Sequence, residues 1–214
     1  DALAHYAAGF ARADAAAPPS PDDDLILDAY IKPHAAVRHV HYGAEMARAV
    51  REELGGETAG ISRIELAVYR EATVYCGNRA PAVPIQAQFS LSFGIAAMLR
   101  FGVLDASVYR PGRFDDAELR RLEALVKVSV DPALEAQGRR GGSLAVTAGY
   151  RDIERDVRAI PGDPAMPLSA EEVAAKFMRY AAARVPNEKA FVFANAVLAS
   201  EVDVSMRALW ELLF

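Results

Sequence analysis

The chain has 214 residues, of which 52% are hydrophobic, so it is long enough to bury a sizeable core. Its formal net charge of −5 argues against non-specific nucleic-acid binding, which usually needs a basic face. No apolar run approaches the roughly 20 residues of a membrane span, no signal peptide is visible, and a lone cysteine excludes an internal disulfide framework, so a soluble cytoplasmic protein is predicted.

The first 30 residues are predicted to be the end of a helical domain followed by a linker. Residue 1 is aspartate, not methionine, which indicates a fragment, a processed chain or the ordered part of a longer protein. Residues 2–17 are rich in alanine and predict a short helix, which ends at the prolines that begin with Pro18.

The next part of the chain mixes predicted helices and strands. Apolar side chains at three- and four-residue steps over 35–54 predict a helix, and strict alternation over 61–69 predicts a half-buried strand. Residues 87–101 are apolar on almost all sides, which predicts a buried helix closed by Gly102.

Further elements follow the buried helix. Asp115 or Asp116 is expected to cap a helix that runs through Ala124 into a strand at 126–130. The remaining predicted elements are paired strands at 144–150 and 153–160, a turn at 161–164, a helix from the capping box Ser169–Glu172 to about Arg184, and one or two apolar helices in 189–214.

These elements predict an α+β fold. Residues 31–165 are expected to form a small mixed sheet-and-helix domain. Residues 1–30 and 166–214 are expected to be helices that belong to a separate all-helical domain.

The sharpest local feature is a basic cluster at Lys32, Arg38, His39 and His41. Lys32 precedes the predicted helix, and Arg38 and His41 are three residues apart, which places them on one helix face. Cations beside a helix N-terminus suit an anion, Arg can clamp a carboxylate, and Lys or His can move a proton. The cluster therefore predicts a site for a small polycarboxylate. The alternative is a solvated helix start with basic residues scattered by chance.

Other reactive side chains give weaker signals. The histidines at 34, 39 and 41 fit no common ligand spacing, so no metal is predicted. Cys76, in a predicted strand-to-loop region, is expected to be a buried, inert thiol. The Ser90 hydroxyl would bind a ligand or bond to its own helix, and the sequence leaves both open.

Three stretches together resemble the MmgE/PrpD family, which includes 2-methylcitrate dehydratase, cis-aconitate decarboxylase and iminodisuccinate epimerase. Residues 31–41 (IKPHAAVRHVH) are similar to the family's K-P-Y-x-x-C-R-x-x-H segment. Residues 84–99 are similar to its A-K-F-S-L-P-Y helix, and residues 160–177 to its P-G-x-P-x-x-P-L-S-x-E-E-x-x-x-K-F signature.

The resemblance implies a partner and a chemistry. Family members are longer, and they begin with a large all-helical domain that also supplies active-site residues, of which this sequence is expected to hold only the end, at residues 2–17. An N-terminal helical domain or a separate chain is therefore expected as a partner, and a homodimer as the assembly. The family's chemistry is proton transfer next to a carboxylate without metal or organic cofactor.

The resemblance also implies roles for named residues. Lys32 matches the family's active-site lysine, and Lys32 and His41 are predicted to be catalytic. Arg38 matches the motif's arginine and, with His39 and Ser90, is predicted to bind the substrate. A lyase like 2-methylcitrate dehydratase, or an isomerase, follows as the leading hypothesis.

Four positions depart from the family motifs. Val37 stands where decarboxylases can carry a catalytic histidine, which disfavours decarboxylation, and His34 replaces the usual tyrosine. Gln88 replaces a lysine and Phe93 a tyrosine. The Gln88 and Phe93 changes favour one alternative, a non-catalytic structural or regulatory subunit of a two-chain assembly. A module that senses carboxylates without chemistry is a second alternative.

Overall fold

A four-stranded mixed sheet lies at the centre of the fold. The structure is a computed structural model that describes residues 29–199 and 205–213. The strands are β1 (Ile61–Val68), β2 (Val126–Val130), β3 (Gly142–Ala148) and β4 (Arg151–Val157), in the spatial order β2-β1-β3-β4. β1 pairs in parallel with β2 and antiparallel with β3, and β3 pairs antiparallel with β4. The predicted α+β fold and the predicted β3–β4 pairing are confirmed.

Helices surround this sheet and extend beyond it. They are α1 (Arg38–Glu53), α2 (Arg70–Cys76), α3 (Pro84–Gln88), α4 (Leu91–Phe101), α5 (Ala117–Leu125), α6 (Pro132–Gln137), α7 (Ala170–Ala181), α8 (Asn187–Ala199) and α9 (Met206–Glu211), with a short 3-10 helix at Ala106–Tyr109. The helix predicted at 2–17 lies outside the described residues.

The core lies between one face of the sheet and the helices α1 and α4. From Ile64 to Val68 alternate residues of β1 are buried, which confirms the predicted half-buried strand. Leu91 to Leu99 of α4 are all buried, as the apolar sequence predicts. Gly43 of α1 lies close to Ile95 of α4 and Leu66 of β1. A Cβ added to Gly43 would lie only 3.0 Å from the Ile95 side chain. A small residue thus brings α1 close to both neighbours.

Local sequence signals fix several helix ends. Gly102 closes α4 in the left-handed conformation, with φ of 70°. Asp116 caps α5 by accepting a hydrogen bond from the backbone N–H of Leu119. Ser169 and Glu172 form the predicted capping box at the start of α7. These caps are confirmed because each depends on residues within one turn.

Two helix starts differ from the prediction because their backbone bonds to distant segments. α1 begins at Arg38, since the Ala35 N–H donates to the Leu104 carbonyl and the Val37 N–H to the Gln88 carbonyl. The helix predicted at 87–101 is divided, because the extended Ser90 caps a new helix there.

Cys76 is the last residue of α2. Its burial raises the pKa of the thiol to about 12, as expected for an inert thiol.

The C-terminal helices leave much apolar surface uncovered. Phe177 of α7 stacks on Phe193 of α8, with ring centroids 5.3 Å apart. Outside that contact, α8 and α9 expose large apolar side chains: Phe191, Val192, Val197, Leu198, Met206 and Trp210. None of the helices in the described ranges combines the length and apolar character needed to cross a membrane.

Candidate functional site

A cleft of about 490 Å³ opens where the segment before α1 meets the α3–α4 junction and α7. We call it the Lys32 cleft, and its polar lining residues are Lys32, His34, Gln88, Lys176 and Tyr180. A neighbouring cleft of about 330 Å³ shares His34 and Lys176 with it. This second space, the Glu45 cleft, is also lined by Glu45, Arg48, Glu172 and Arg179. The two clefts together run along one side of α7.

Backbone hydrogen bonds to distant segments hold the Lys32 segment in position. The Ile31 N–H donates to the Gly162 carbonyl at 2.9 Å, and the Val37 N–H donates to the Gln88 carbonyl at 3.0 Å. The Tyr109 hydroxyl donates to the Ala35 carbonyl at 2.7 Å. Residues that are far apart in sequence thereby meet at one cleft.

The clefts carry uncompensated positive charge. Lys32 and Arg179 are exposed and Lys176 is half-buried. Within the described part of the chain, none of these three cations forms an ion pair or hydrogen bond. The Glu172 carboxylate accepts from the Ser169 N–H in the capping box. An anion that enters the clefts therefore meets cations without an internal partner.

His34 and Glu45 form a short hydrogen-bonded pair beside these cations. The His34 Nε2 lies 2.6 Å from the Glu45 Oε1, and the Arg48 Nε donates to the Glu45 Oε2 at 3.0 Å. Burial tends to raise the pKa of Glu45, but the hydrogen bonds and charges of His34 and Arg48 lower it further than burial raises it. Glu45 is thus an ionised acceptor, so His34 donates through Nε2–H, and in the neutral ring Nδ1 is the acceptor nitrogen.

His41 lies beneath the Lys32 cleft. It is 1% exposed, and its Nε2–H donates to the Ala36 carbonyl at 3.3 Å. Burial, and next the charge of His34, lower the pKa of His41 to about 3, so the ring is neutral near neutral pH. Its ring meets that of His34 edge to face, with centroids 5.0 Å apart. The ring can therefore orient His34, and the predicted catalytic role of His41 stays a prediction.

Arg38 points to a different set of neighbours. Its Nη2 lies 2.5 Å from the Asp163 Oδ1, and its guanidinium lies over the rings of Tyr30 and Tyr42, at 4.7 and 5.4 Å. Arg38 is not among the residues that line the Lys32 cleft. The Arg38 Nη1 is buried and has no hydrogen-bond partner among the described residues, so Asp163 occupies only part of this guanidinium, and the predicted clamp stays a prediction.

The other two predicted ligands also have internal partners. His39 Nδ1 lies 2.6 Å from the Tyr69 hydroxyl, and the His39 ring stacks on Tyr75. Burial lowers the pKa of His39, so the ring is neutral near neutral pH. The buried Ser90 hydroxyl donates to the Asn78 carbonyl and accepts from the Phe93 N–H. Neither residue lines the Lys32 cleft, and their substrate-binding roles stay predictions.

Sequence reasoning missed most of the polar residues that line the clefts. Glu45, Arg48 and Tyr180 carry no local signal, because they meet His34 and Lys32 only through the fold. Lys176 had a signal, since it is the lysine of the stretch 160–177. In the described ranges, no group of three or more His, Cys, Asp or Glu side chains is arranged to hold a metal ion.

Comparison with known proteins gives one positive result. The family model for the MmgE/PrpD C-terminal domain matches residues 34–201. No curated protein matches the chain. The matched range spans both clefts except for Lys32 and Pro33, which lie directly before it.

Proposed function

The chain belongs to the MmgE/PrpD family, and from this premise we propose that it forms part of a lyase or isomerase that acts on a small di- or tricarboxylate. Members of this family are generally lyases or isomerases. The proposed reaction moves a proton next to a carboxylate, and a hydro-lyase reaction like that of 2-methylcitrate dehydratase is its leading form. The proposed chemistry uses side chains alone.

One observation carries the proposal: the three stretches that resemble family motifs meet at the Lys32 cleft. Lys32 and His34 come from the first stretch, Gln88 from the second and Lys176 from the third. Surface residues of an ordinary scaffold have no reason to converge in this way. Convergence at a cation-lined cleft is what a shared binding or reaction site requires.

The charges in the clefts suit this chemistry. Removing a proton next to a carboxylate places negative charge on the carboxylate oxygens, and a cation fixed at that point stabilises the charge as it develops. Lys32 is proposed for this role. Lys176 and Arg179 provide further positive groups for the other carboxylates of a di- or tricarboxylate.

We also propose that the apolar surface of α8 and α9 packs on an all-helical domain that completes the enzyme. Exposed Phe191, Leu198 and Trp210 lie on this surface. Large exposed apolar side chains that cluster on a surface are typical of a site that binds another protein. The assembled enzyme is proposed to be a homodimer.

The test of the function is the substitution Lys32→Ala in the complete protein. Turnover of a panel of small di- and tricarboxylates is followed by NMR detection of products. We expect kcat/KM to fall by roughly 100-fold or more, with unchanged circular dichroism, because a group that moves a proton or stabilises charge is lost.

Lys127→Ala is the matched control, because Lys127 is an exposed lysine on β2 and lines neither cleft. It should leave turnover unchanged. Full activity of Lys32→Ala would show that the site is assigned wrongly. A wild-type protein that binds carboxylates but converts none of them would instead support the non-catalytic alternative.

A further inference from the structure

We infer that His34 is the general base of this site and that Glu45 is its positioning residue. This inference rests on the proposed function and adds to it two residues that the predicted site did not contain. The family motif has tyrosine at the position of His34, so the His34–Glu45 pair is a feature of this sequence and not of the motif.

Geometry sets His34 apart from the other described histidines. It lines both the Lys32 cleft and the Glu45 cleft, whereas His39 and His41 line neither. Its side chain is 11% exposed, which leaves a restricted opening toward the cleft. A histidine that acts as a base must be accessible from the substrate cleft and must be held in a fixed orientation.

Glu45 fixes the ring through the 2.6 Å hydrogen bond to Nε2. A buried carboxylate in this position selects one tautomer of the neutral imidazole and balances the charge of the imidazolium when it forms. Arg48 holds Glu45 in turn, and Arg48 also donates to Glu52 at 2.6 Å. The neutral His41 ring packs edge to face on His34 and adds no positive charge that would oppose the imidazolium.

The proton-transfer step can be written in full. The C–H bond next to a substrate carboxylate breaks, its proton passes to His34 Nδ1, and its electron pair enters the enolate form of that carboxylate. The Lys32 ammonium stabilises the enolate oxygens. In an isomerisation of an unsaturated substrate the imidazolium delivers the proton to a different carbon of the delocalised anion, so that the carbon–carbon double bond moves. In a dehydration the electron pair forms a carbon–carbon double bond, and the β-hydroxyl leaves as water with the imidazolium proton.

The substitution His34→Gln tests the base. Glutamine keeps an N–H donor for Glu45 but cannot take up a proton, so kcat/KM of the complete protein should fall by roughly 100-fold or more with little change in KM. The substrate is whichever di- or tricarboxylate of the panel the wild-type protein converts. Glu65→Gln, at a half-buried carboxylate on the sheet that lines neither cleft, is the control and should leave kcat/KM unchanged.

Glu45→Gln tests the positioning role through the pH profile of kcat/KM. The imidazolium loses its partner carboxylate, so the acid limb of the profile should move to lower pH. The charged and titratable groups around His34 stay the same in both proteins: Lys32 in the entry segment, His41 and Arg48 on α1, and Glu172, Lys176 and Arg179 on α7. A purely structural defect would lower activity without moving the limb.

The possible outcomes separate this inference from the proposed function. If Lys32→Ala abolishes turnover while His34→Gln keeps it, the function stands and the base is assigned wrongly. If Glu45→Gln leaves the acid limb in place, the positioning role of Glu45 is overturned. If the wild-type protein converts no carboxylate of the panel, both the function and the base are overturned.

Discussion

At the residue scale, His41 is a buried base that stays neutral in the fold. Burial, and next the charge of His34, lower its pKa to about 3 from the ordinary value of 6.5. Between these two values the unfolded chain binds a proton at this residue that the folded chain does not bind. Stability from His41 is therefore fully present above about pH 6.5 and is lost as the pH falls toward about 3.

We predict that the substitution His41→Gln makes the protein less sensitive to acid. The linkage amounts to about 1.4 kcal/mol for each pH unit, so wild type should lose roughly 2 kcal/mol more unfolding free energy than the variant between about pH 7 and about pH 5. Urea denaturation at both pH values measures the difference. The glutamine amide can still donate to the Ala36 carbonyl, and the contribution of His39 is common to both proteins and cancels. Equal losses in the two proteins would contradict the assignment.

The sequence predicts a site residue well only where a reactive residue type stands at a recognisable local feature, such as a helix start. Lys32 was found because a lysine before a helix start is a local feature, and it does line a cleft. Glu45 carried no such feature, because its contact with His34 depends on the bends at 33–36 that return the chain to α1. The Arg38–Asp163 ion pair was missed for the same reason, since it joins the start of α1 to the turn before α7.

At the element scale, the turn between β4 and α7 holds the segment that carries Lys32. Gly162 accepts a hydrogen bond from Ile31 with φ of +90°, and a Cβ on it would lie 1.8 Å from the Ile31 carbonyl oxygen. The adjacent Asp163 pairs with Arg38 at the first turn of α1. One turn therefore fixes both ends of the stretch that enters the site.

We predict that Gly162→Ala destabilises the protein more than Gly112→Ala does. Both glycines have positive φ, +90° and +83°, so both substitutions carry the strain of a left-handed residue, about 1–2 kcal/mol. Only Gly162 also meets a backbone atom, since no described atom lies within 4 Å of a Cβ on Gly112. Gly162→Ala should therefore lower the free energy of unfolding by about 1–3 kcal/mol more than Gly112→Ala does, as measured by urea denaturation. Equal losses would mean that the turn does not hold the Ile31 segment.

Element boundaries show the limit of local signals. The caps at Gly102, Asp116 and Ser169 were predicted because each uses atoms of its own helix. The start of α1 was predicted too early, because the decisive hydrogen bonds of Ala35 and Val37 go to Leu104 and Gln88. The start of α4 was predicted too early because Ser90 caps a new helix there. Periodicity detects the presence of a helix, whereas the first residue depends on where the backbone finds its partners.

At the scale of the whole molecule, the α+β class could be predicted but the sheet order could not. Pairing of β3 with β4 follows from their closeness in sequence. The parallel pairing of β1 with β2 needs a crossover through α2, α3, α4 and α5, and no local pattern specifies which edge of the sheet β2 joins. Convergence of the three motif stretches at the Lys32 cleft is a result of this order.

The uncovered apolar surface of α8 and α9 predicts how the chain behaves in solution by itself. Phe191 is 59% exposed and Leu198 43% exposed, and both line a groove between α7 and α8. Burial of exposed apolar surface in an interface is favourable by about 25 cal/mol per Å². We expect the chain alone to self-associate as its concentration rises, measured by sedimentation velocity, and the double substitution Phe191→Ser with Leu198→Ser to weaken this association.

The control must carry an equally exposed apolar side chain at another place. Val74 on α2 is 70% exposed, so Val74→Ser removes apolar area without touching α8 or α9, and it should leave the association unchanged. Adding the proposed all-helical domain should suppress self-association of the wild-type chain, because the two occupants compete for one surface. The double variant should bind that domain weakly. If the chain stays monomeric at every concentration and does not bind the all-helical domain, this surface needs no partner.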